Sequence, residues 1–293
     1  MTMVREVPLP EQKFKPREED PLAPERIKAI IDNPSYIEAD HDLDFLHAPV
    51  TRGIRLQLDY LKAEYLMQEK NIKNTVVVFG GTRIKEAGAV QIELDKIADD
   101  PSKDVERQML LRLMDKSKYY SIAHQFGNIV ARANEAAPLD NLTVMTGGGP
   151  GVMEAANRGA HDANARSIGL NIRLPLEQFP NPYITPGLCF YFHYFAMRKL
   201  HFLERAKALV AFPGGYGTLD ELFEVLTLIQ TRKVEPMPVV LVGEAYWRQA
   251  VNFDFLLEEG VIAPEDRKLF WFAESAEDIW QGICKWYAAA KIR

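Results

Sequence analysis

The chain has 293 residues, a formal net charge of −6 with its histidines neutral and a hydrophobic content of 47%, enough for a sizeable core. The acidic balance argues against a nucleic-acid surface as the main function, because phosphate backbones need clustered lysine and arginine; a local basic pocket is still allowed. No apolar run approaches the roughly 18 residues of a membrane span, and Met1–Pro8 lacks the apolar core of a signal peptide, so the expectation is a soluble, cytoplasmic protein.

Pro8, Pro10, Pro16, Pro21 and Pro24 stand among alternating charges, a composition that favours an extended arm over a packed element. Helical spacing follows at Glu25–Ile31 and again within 42–70, through Ile54, Leu56, Leu58, Leu61 and Tyr65. Residues 1–73 are thus an N-terminal extended and helical arm, expected to lie on the main domain or on a partner subunit. The remainder, 74–293, reads as one nucleotide-binding domain. Its first strand is the β-branched run Thr75–Phe79, closed by Gly80 and Gly81. Residues 86 to about 117 are charged and partly helical; they read as an insertion that delays the first full helix to Tyr119. A second strand, Leu142–Thr146, runs into Gly147-Gly148-Gly149-Pro150-Gly151 and a helix from Val152, with Pro150 suited to the first helical turn. Further strands are expected at Ile168–Ile172, Ala208–Phe212, Val239–Val242 and Leu269–Phe272. Repeated strand–helix units imply an α/β fold, a doubly wound parallel sheet with helices on both faces. Ligands of such sheets sit at the carboxyl ends of the strands, where three glycine turns fall here, at 80–81, 147–151 and 214–217.

The third turn organises the chain. Pro213-Gly214-Gly215-Tyr216-Gly217-Thr218 follows an apolar strand and precedes an amphipathic helix. Its outward amides at a helix N-terminus suit a phosphate, so Gly214 to Thr218 form a candidate cradle. Leu219, Leu222, Phe223, Leu226 and Ile229 make an inward stripe, while Glu221 and Glu224 share another face. Thr218 and Glu221 also fit a capping box, a purely structural role. Dinucleotide and Walker fingerprints fail on spacing, and HExxH, GxSxG and EF-hand loops are absent. Cys189 and Cys284 form no CxxC pair and are expected as buried thiols, and the six histidines show no ligand spacing, so no metal site is expected.

Thr146-Gly147-Gly148-Gly149-Pro150-Gly151-Val152-Met153-Glu154-Ala155, Met197-Arg198-Lys199 and Pro213–Glu221, in that order, resemble the LONELY GUY family. That family also carries the label lysine decarboxylase and contains cytokinin riboside 5′-monophosphate phosphoribohydrolases with a Rossmann-like fold. The resemblance covers about 74–290. It implies N-glycosidic hydrolysis of a nucleoside 5′-monophosphate, with no cofactor. It makes Glu221 and Arg198 the catalytic pair, Glu221 toward the ribose or its attacking water and Arg198 as a phosphate or base clamp. Substrate binding falls to Gly147, Gly148 and Gly149, to Met197 and Lys199, and to Pro213, Gly214, Gly215, Tyr216, Gly217 and Thr218. Glu224 supports, and Gly81, Thr82 and Arg83 add contacts. The arm, the insertion and the Thr-Gly-Gly-Gly-Pro-Gly loop, where plant-like members have Gly-Gly-Gly-Ser, resemble a longer bacterial subgroup and make an AMP-like nucleotide a candidate. A non-catalytic nucleotide or cofactor carrier of the same fold is the alternative; a pure binder needs no Glu221 with Arg198. A decarboxylase would need pyridoxal phosphate and a Schiff-base lysine, for which no motif is present.

On residues alone, Arg198, His201 and Arg205 make one stripe of their helix, which could equally be a solvated face, and Met197, Leu200 and Leu203 an inward one. The aromatic run Phe190–Phe195 reads either as a buried strand or helix start, or as an interface; the resemblance implies a homodimer at least.

Overall fold

The structure, a computed structural model, describes residues 13–133, 141–174 and 179–290. The first twelve residues of the expected arm, Pro8 and Pro10 among them, lie outside the described residues. The chain divides into two compact units, residues up to 57 and from 58 onward. In the first unit, Pro24 sits in the opening turn of α1 (Ala23–Ile31), as its missing N–H and fixed φ allow. The side chain of Asp42 accepts from Phe45 N and so caps α2 (Leu43–His47). Arg55 Nη1 donates to the Leu46 and Ala48 carbonyls at 2.6 and 2.7 Å, closing the open carbonyl end of α2. Arg55 belongs to α3, which runs Arg52–Glu69.

The second unit alternates strands and helices: β1 (Asn74–Phe79), α4 (Ala87–Lys96), α5 (Asp104–Ala133), β2 (Leu142–Thr146), α6 (Val152–Asp162), β3 (Ser167–Ile172) and β4 (Cys189–Phe192). Then come α7 (Phe195–Glu204), β5 (Ala206–Ala211), α8 (Tyr216–Gln230), β6 (Val239–Val242), α9 (Glu244–Ala250), α10 (Phe253–Glu258), β7 (Trp271–Ala273) and α11 (Ala276–Ala290). The seven strands among the described residues are all parallel, in the order β4-β3-β2-β1-β5-β6-β7. This is the doubly wound α/β sheet expected from the sequence. Successive side chains of a strand point to opposite faces. Val76 and Val78 therefore meet Phe126 of α5, Ala156 of α6 and Ile279 of α11, while Val77 and Phe79 meet Met67 of α3, Phe202 of α7 and Leu222 of α8. Both faces being covered, the central strands are largely apolar, with Thr75, Thr143, Thr146, Ser167 and Asn171 as buried polar exceptions.

Three expectations change. Residues 104–117 of the expected insertion belong to the single 30-residue helix α5, so that only α4 and a short turn precede this helix in the β1–β2 crossover. Val90, Ile97 and Leu110 form a small core there. Gly127 of α5 and Gly159 of α6 let the two helices cross closely, since a Cβ on either would overlap a carbonyl of the other. Second, of the alternatives for the aromatic run, its first half is a strand: with Cys189 it forms a seventh strand, β4, with Phe190 and Phe192 buried while Tyr191 is 65% exposed. Third, Cys189 is exposed on that edge strand and Cys284 only half-buried; both are free thiols. Among the described residues no helix is long and apolar enough to cross a membrane.

Candidate active site

From β1 the chain winds outward through β2, β3 and β4, then returns to lay β5 beside β1. A crevice opens where the winding reverses, at the carboxyl ends of these two strands. The turns after β1 and β5 meet there: Gly81 N donates to the Pro213 carbonyl at 2.8 Å. The crevice is a cleft of about 370 Å³ that brings together Gly81, Thr82, Gly147, Arg198, Gly215, Tyr216, Gly217 and Thr218. Its other walls are Gly80 of the first glycine turn, Met153 of the second motif, Phe195 of the aromatic run, and Phe79, Ile172 and Leu174, of which the last three carried no signal beyond strand periodicity. Arg83, Pro213 and Gly214 instead line a neighbouring recess of about 340 Å³, with Lys116 and Tyr246. Tyr246 Oη donates to the Gly214 carbonyl at 2.5 Å and pins that turn from α9.

The helix after the turn begins earlier than a capping box requires. Gly215 is the N-cap of α8, so Thr218 is the third helical residue and Glu221 lies almost a full turn further on; neither side chain caps. The amides of Tyr216 and Gly217 fall in the first turn, where no intrahelical acceptor exists, whereas Thr218 N already donates to Gly215 O at 3.0 Å. Pro150 likewise stands before Gly151, the N-cap of α6, and not in the helix.

Glu221 is 3% exposed and stands against Arg198, with Arg198 Nη2 3.7 Å from its Oε1. That is too long for a hydrogen bond, and Glu221 Oε1 and Arg198 Nε are both buried without a hydrogen-bond partner. Burial pushes the Glu221 carboxyl up to about 7, against the opposing pull of Lys199 and Arg198. Burial also lowers the Arg198 guanidinium, with Glu221 and Asp220 resisting. The guanidinium lies over the Phe195 ring at 4.7 Å. Burial disfavours the Lys199 ammonium too, but its hydrogen bond to Asp220 at 2.9 Å and its ion pair with Glu224 at 3.0 Å outweigh this and raise its pKa. Lys199 and Glu224 therefore engage one another beside the cleft, and Asp220 is an ion-pair partner as well as a first-turn acid.

α7 does not present the face that its periodicity suggests. His201 and Phe202 are fully covered while Leu200 is 45% exposed. Covering follows from polar partners on α3: His201 Nε2 meets the Tyr60 carbonyl at 3.1 Å and Arg205 pairs with Glu64 at 2.6 Å. Met197 is half-buried against the core.

Gly148 and Gly149 lie beneath the cleft floor, both buried. Gly148 has φ +72°, and a Cβ would overlap Asn171 Oδ1, so glycine is required. A polar cluster holds this loop: Gly148 N donates to Thr146 Oγ1 at 3.0 Å, Thr146 Oγ1 to Asn157 Oδ1 at 2.7 Å, and Asn181 Nδ2 to Gly149 O at 3.1 Å. Asn157 and Asn181 were legible only as polar residues within apolar or proline-rich surroundings.

A family model described as possible lysine decarboxylase matches residues 153–283. The cytokinin riboside 5′-monophosphate phosphoribohydrolase LOG3 of Arabidopsis thaliana is 31% identical over 170 residues, which cover 56% of this chain and 74% of that protein. LOG4 of the same plant is 30% identical over 169 residues with the same shares. A probable enzyme of that name from Oryza sativa subsp. japonica, LOGL5, is 32% identical over 146 residues, 48% of this chain and 56% of its own. The matched stretch carries both Arg198 and the third glycine turn, and on this similarity the chain belongs to the LONELY GUY family of phosphoribohydrolases.

Proposed function

We propose that the chain hydrolyses the N-glycosidic bond of a purine nucleoside 5′-monophosphate, adding water to give the free base and ribose 5-phosphate. The observation that carries this reading is the buried Glu221 carboxylate, 3.7 Å from the Arg198 guanidinium, beside a cleft at the winding reversal. Breaking the bond builds positive charge on C1′ and the ring oxygen, which a carboxylate stabilises. Glu221, ionised in part near neutral pH, supplies that charge, held in a site that screens it little. Arg198 and the Tyr216 and Gly217 amides receive the 5′-phosphate. Ile172, Leu174 and Phe195 offer an apolar wall to the base.

The relatives' names specify a cytokinin riboside 5′-monophosphate, while the arm, the insertion and the Thr-Gly-Gly-Gly-Pro-Gly loop make AMP a candidate. Incubating the protein with AMP, prenylated AMP and the other nucleoside monophosphates, followed by chromatography for free base, decides the substrate. Tight nucleotide binding without release of any base would instead identify a carrier. A cytoplasmic homodimer or larger assembly belongs to the same proposal, with Tyr191 and Phe195, 65% and 50% exposed, on the surface it would cover. Light scattering that finds an active monomer would remove that part.

A further inference from the structure

Beneath α7, away from the cleft, three acceptor atoms converge. His201 is fully buried, and its Nε2 lies 3.1 Å from the Tyr60 carbonyl. A carbonyl only accepts, so Nε2 carries the ring proton and Nδ1 of the neutral ring presents a lone pair. Nδ1 faces Glu204 Oε2 at 3.4 Å and Glu64 Oε2 at 4.0 Å. Nδ1 and Glu64 Oε2 are buried atoms with no hydrogen-bond partner. Nδ1 and Glu64 Oε2 turn lone pairs on one another with no donor, which costs free energy, and the cost is removed by an electrophile placed between them.

We propose that Glu64, His201 and Glu204 form a binding site for a divalent cation of the zinc type. Three independent features support it. First, spacing: metal–ligand bonds of about 2.0–2.2 Å in a tetrahedron separate the ligand atoms by about 3.3–3.6 Å. The 3.4 Å separation already matches, the 4.0 Å one needs a shift of a few tenths of an ångström, and all three atoms lie within 4.8 Å of one another. Second, orientation: each ligand has its other polar atom held by the protein. Arg205 donates to Glu64 Oε1 at 2.6 Å and Tyr60 Oη to Glu204 Oε1 at 2.7 Å, as the carbonyl of Tyr60 holds the ring. Outer-shell bonds of this type fix ligand tautomer and direction in metal sites. Third, charge: Glu64 and Glu204 outweigh Arg205, whose Nη1 reaches Glu204 Oε2 only at 3.5 Å. One nitrogen and two oxygens suit zinc, and the 34% exposure of the Glu204 side chain leaves a fourth position for water.

The cation would join α3 to α7 one turn beyond Arg198, giving it a structural role distinct from the proposed chemistry. The proposal is tested on the full-length protein, stripped with chelator, by calorimetric titration with Zn²⁺ and by the visible spectrum of Co²⁺ in its place. One equivalent bound at micromolar or tighter affinity is expected, with a four-coordinate cobalt band and a raised melting temperature. Because His201 lies in the core, the primary variants are Glu204→Gln, which keeps an acceptor for Tyr60, and Glu64→Gln. Each should fold and weaken zinc at least tenfold. His41→Ala, in the exposed Glu38, Asp40 and His41 group, should leave binding unchanged. No stoichiometric zinc in the folded wild type overturns the proposal and leaves a proton on Nδ1 as the link to Glu204. Binding that survives Glu204→Gln, or that is lost in His41→Ala, overturns it as well.

Discussion

Arg198 on α7, which lines the cleft, and Glu221 on α8, buried beside it, stand with Nη2 and Oε1 3.7 Å apart, both side chains withdrawn from solvent. At this distance the charges attract without a hydrogen bond, so the desolvation of each is only partly offset. The pair is therefore poised toward a third group that could hydrogen-bond to both.

The first consequence is a stability that depends on pH. Folded Glu221 releases its proton near pH 7 and an unfolded one near 4.5, so the folded chain holds that proton more tightly between these values. Glu221 therefore costs stability as pH rises through 4.5 to 7, by roughly 3 kcal/mol at the upper end and not at all below the lower. Glu221→Gln removes the titration. Urea unfolding at pH 5 and pH 8 should show the variant gaining on wild type at the higher pH; a gap of constant size would contradict the assignment.

The same substitution should abolish most hydrolysis. If the ionised carboxylate stabilises the cationic transition state, Glu221→Gln lowers kcat by about 10²–10⁴-fold while the far-ultraviolet dichroism is unchanged. Wild-type activity should rise with pH through about 7, the value to which burial moves Glu221, and the variant should lack that limb. Equal rates for the two proteins would sink the role.

Phosphate recognition is tested by substrate and protein together. Adenosine should be a very poor substrate beside AMP. Arg198→Lys, which replaces a planar donor fork by a point charge, should lower kcat/KM for AMP by about 10–100-fold, equivalent to the roughly 1.5–3 kcal/mol of a charged hydrogen bond. The adenosine rate should hardly change in the variant. Loss of both rates in parallel would mean that Arg198 acts elsewhere than on the phosphate.

The polar cluster under the Gly147–Gly149 loop gives a fourth outcome. Asn157→Ala leaves Thr146 Oγ1 without its buried acceptor and should cost about 2–3 kcal/mol in chemical unfolding. Activity should fall further than the folded fraction alone explains, because the loop forms the cleft floor. Gly148→Ala, at φ +72° and against Asn171 Oδ1, should be worse on both counts. An Asn157→Ala protein of unchanged stability would show that the cluster is not holding the loop.

The sheet was legible in the sequence because β1, β2, β3, β5 and β6 are covered on both faces and so read as largely apolar, β-branched runs. Glycine spacing likewise located the crevice, since phosphate-type loops must follow strands. β4 was legible only as one alternative: three of its four residues open a run of six aromatic or histidine side chains, which carries no period to separate strand from helix start. The onset of α5 was hidden by charges on its solvent face, and the capping box was a local motif that Gly215, three residues earlier, displaced as N-cap. Tertiary structure alone decided which polar residues are buried. Arg198, His201 and Arg205 read equally as a solvated stripe, because helical periodicity records which side chains share a face and not what covers it. That face is closed by Tyr60 and Glu64 of α3 and by Glu221 of α8, segments far apart in the chain that only the winding around β5 and β1 brings together.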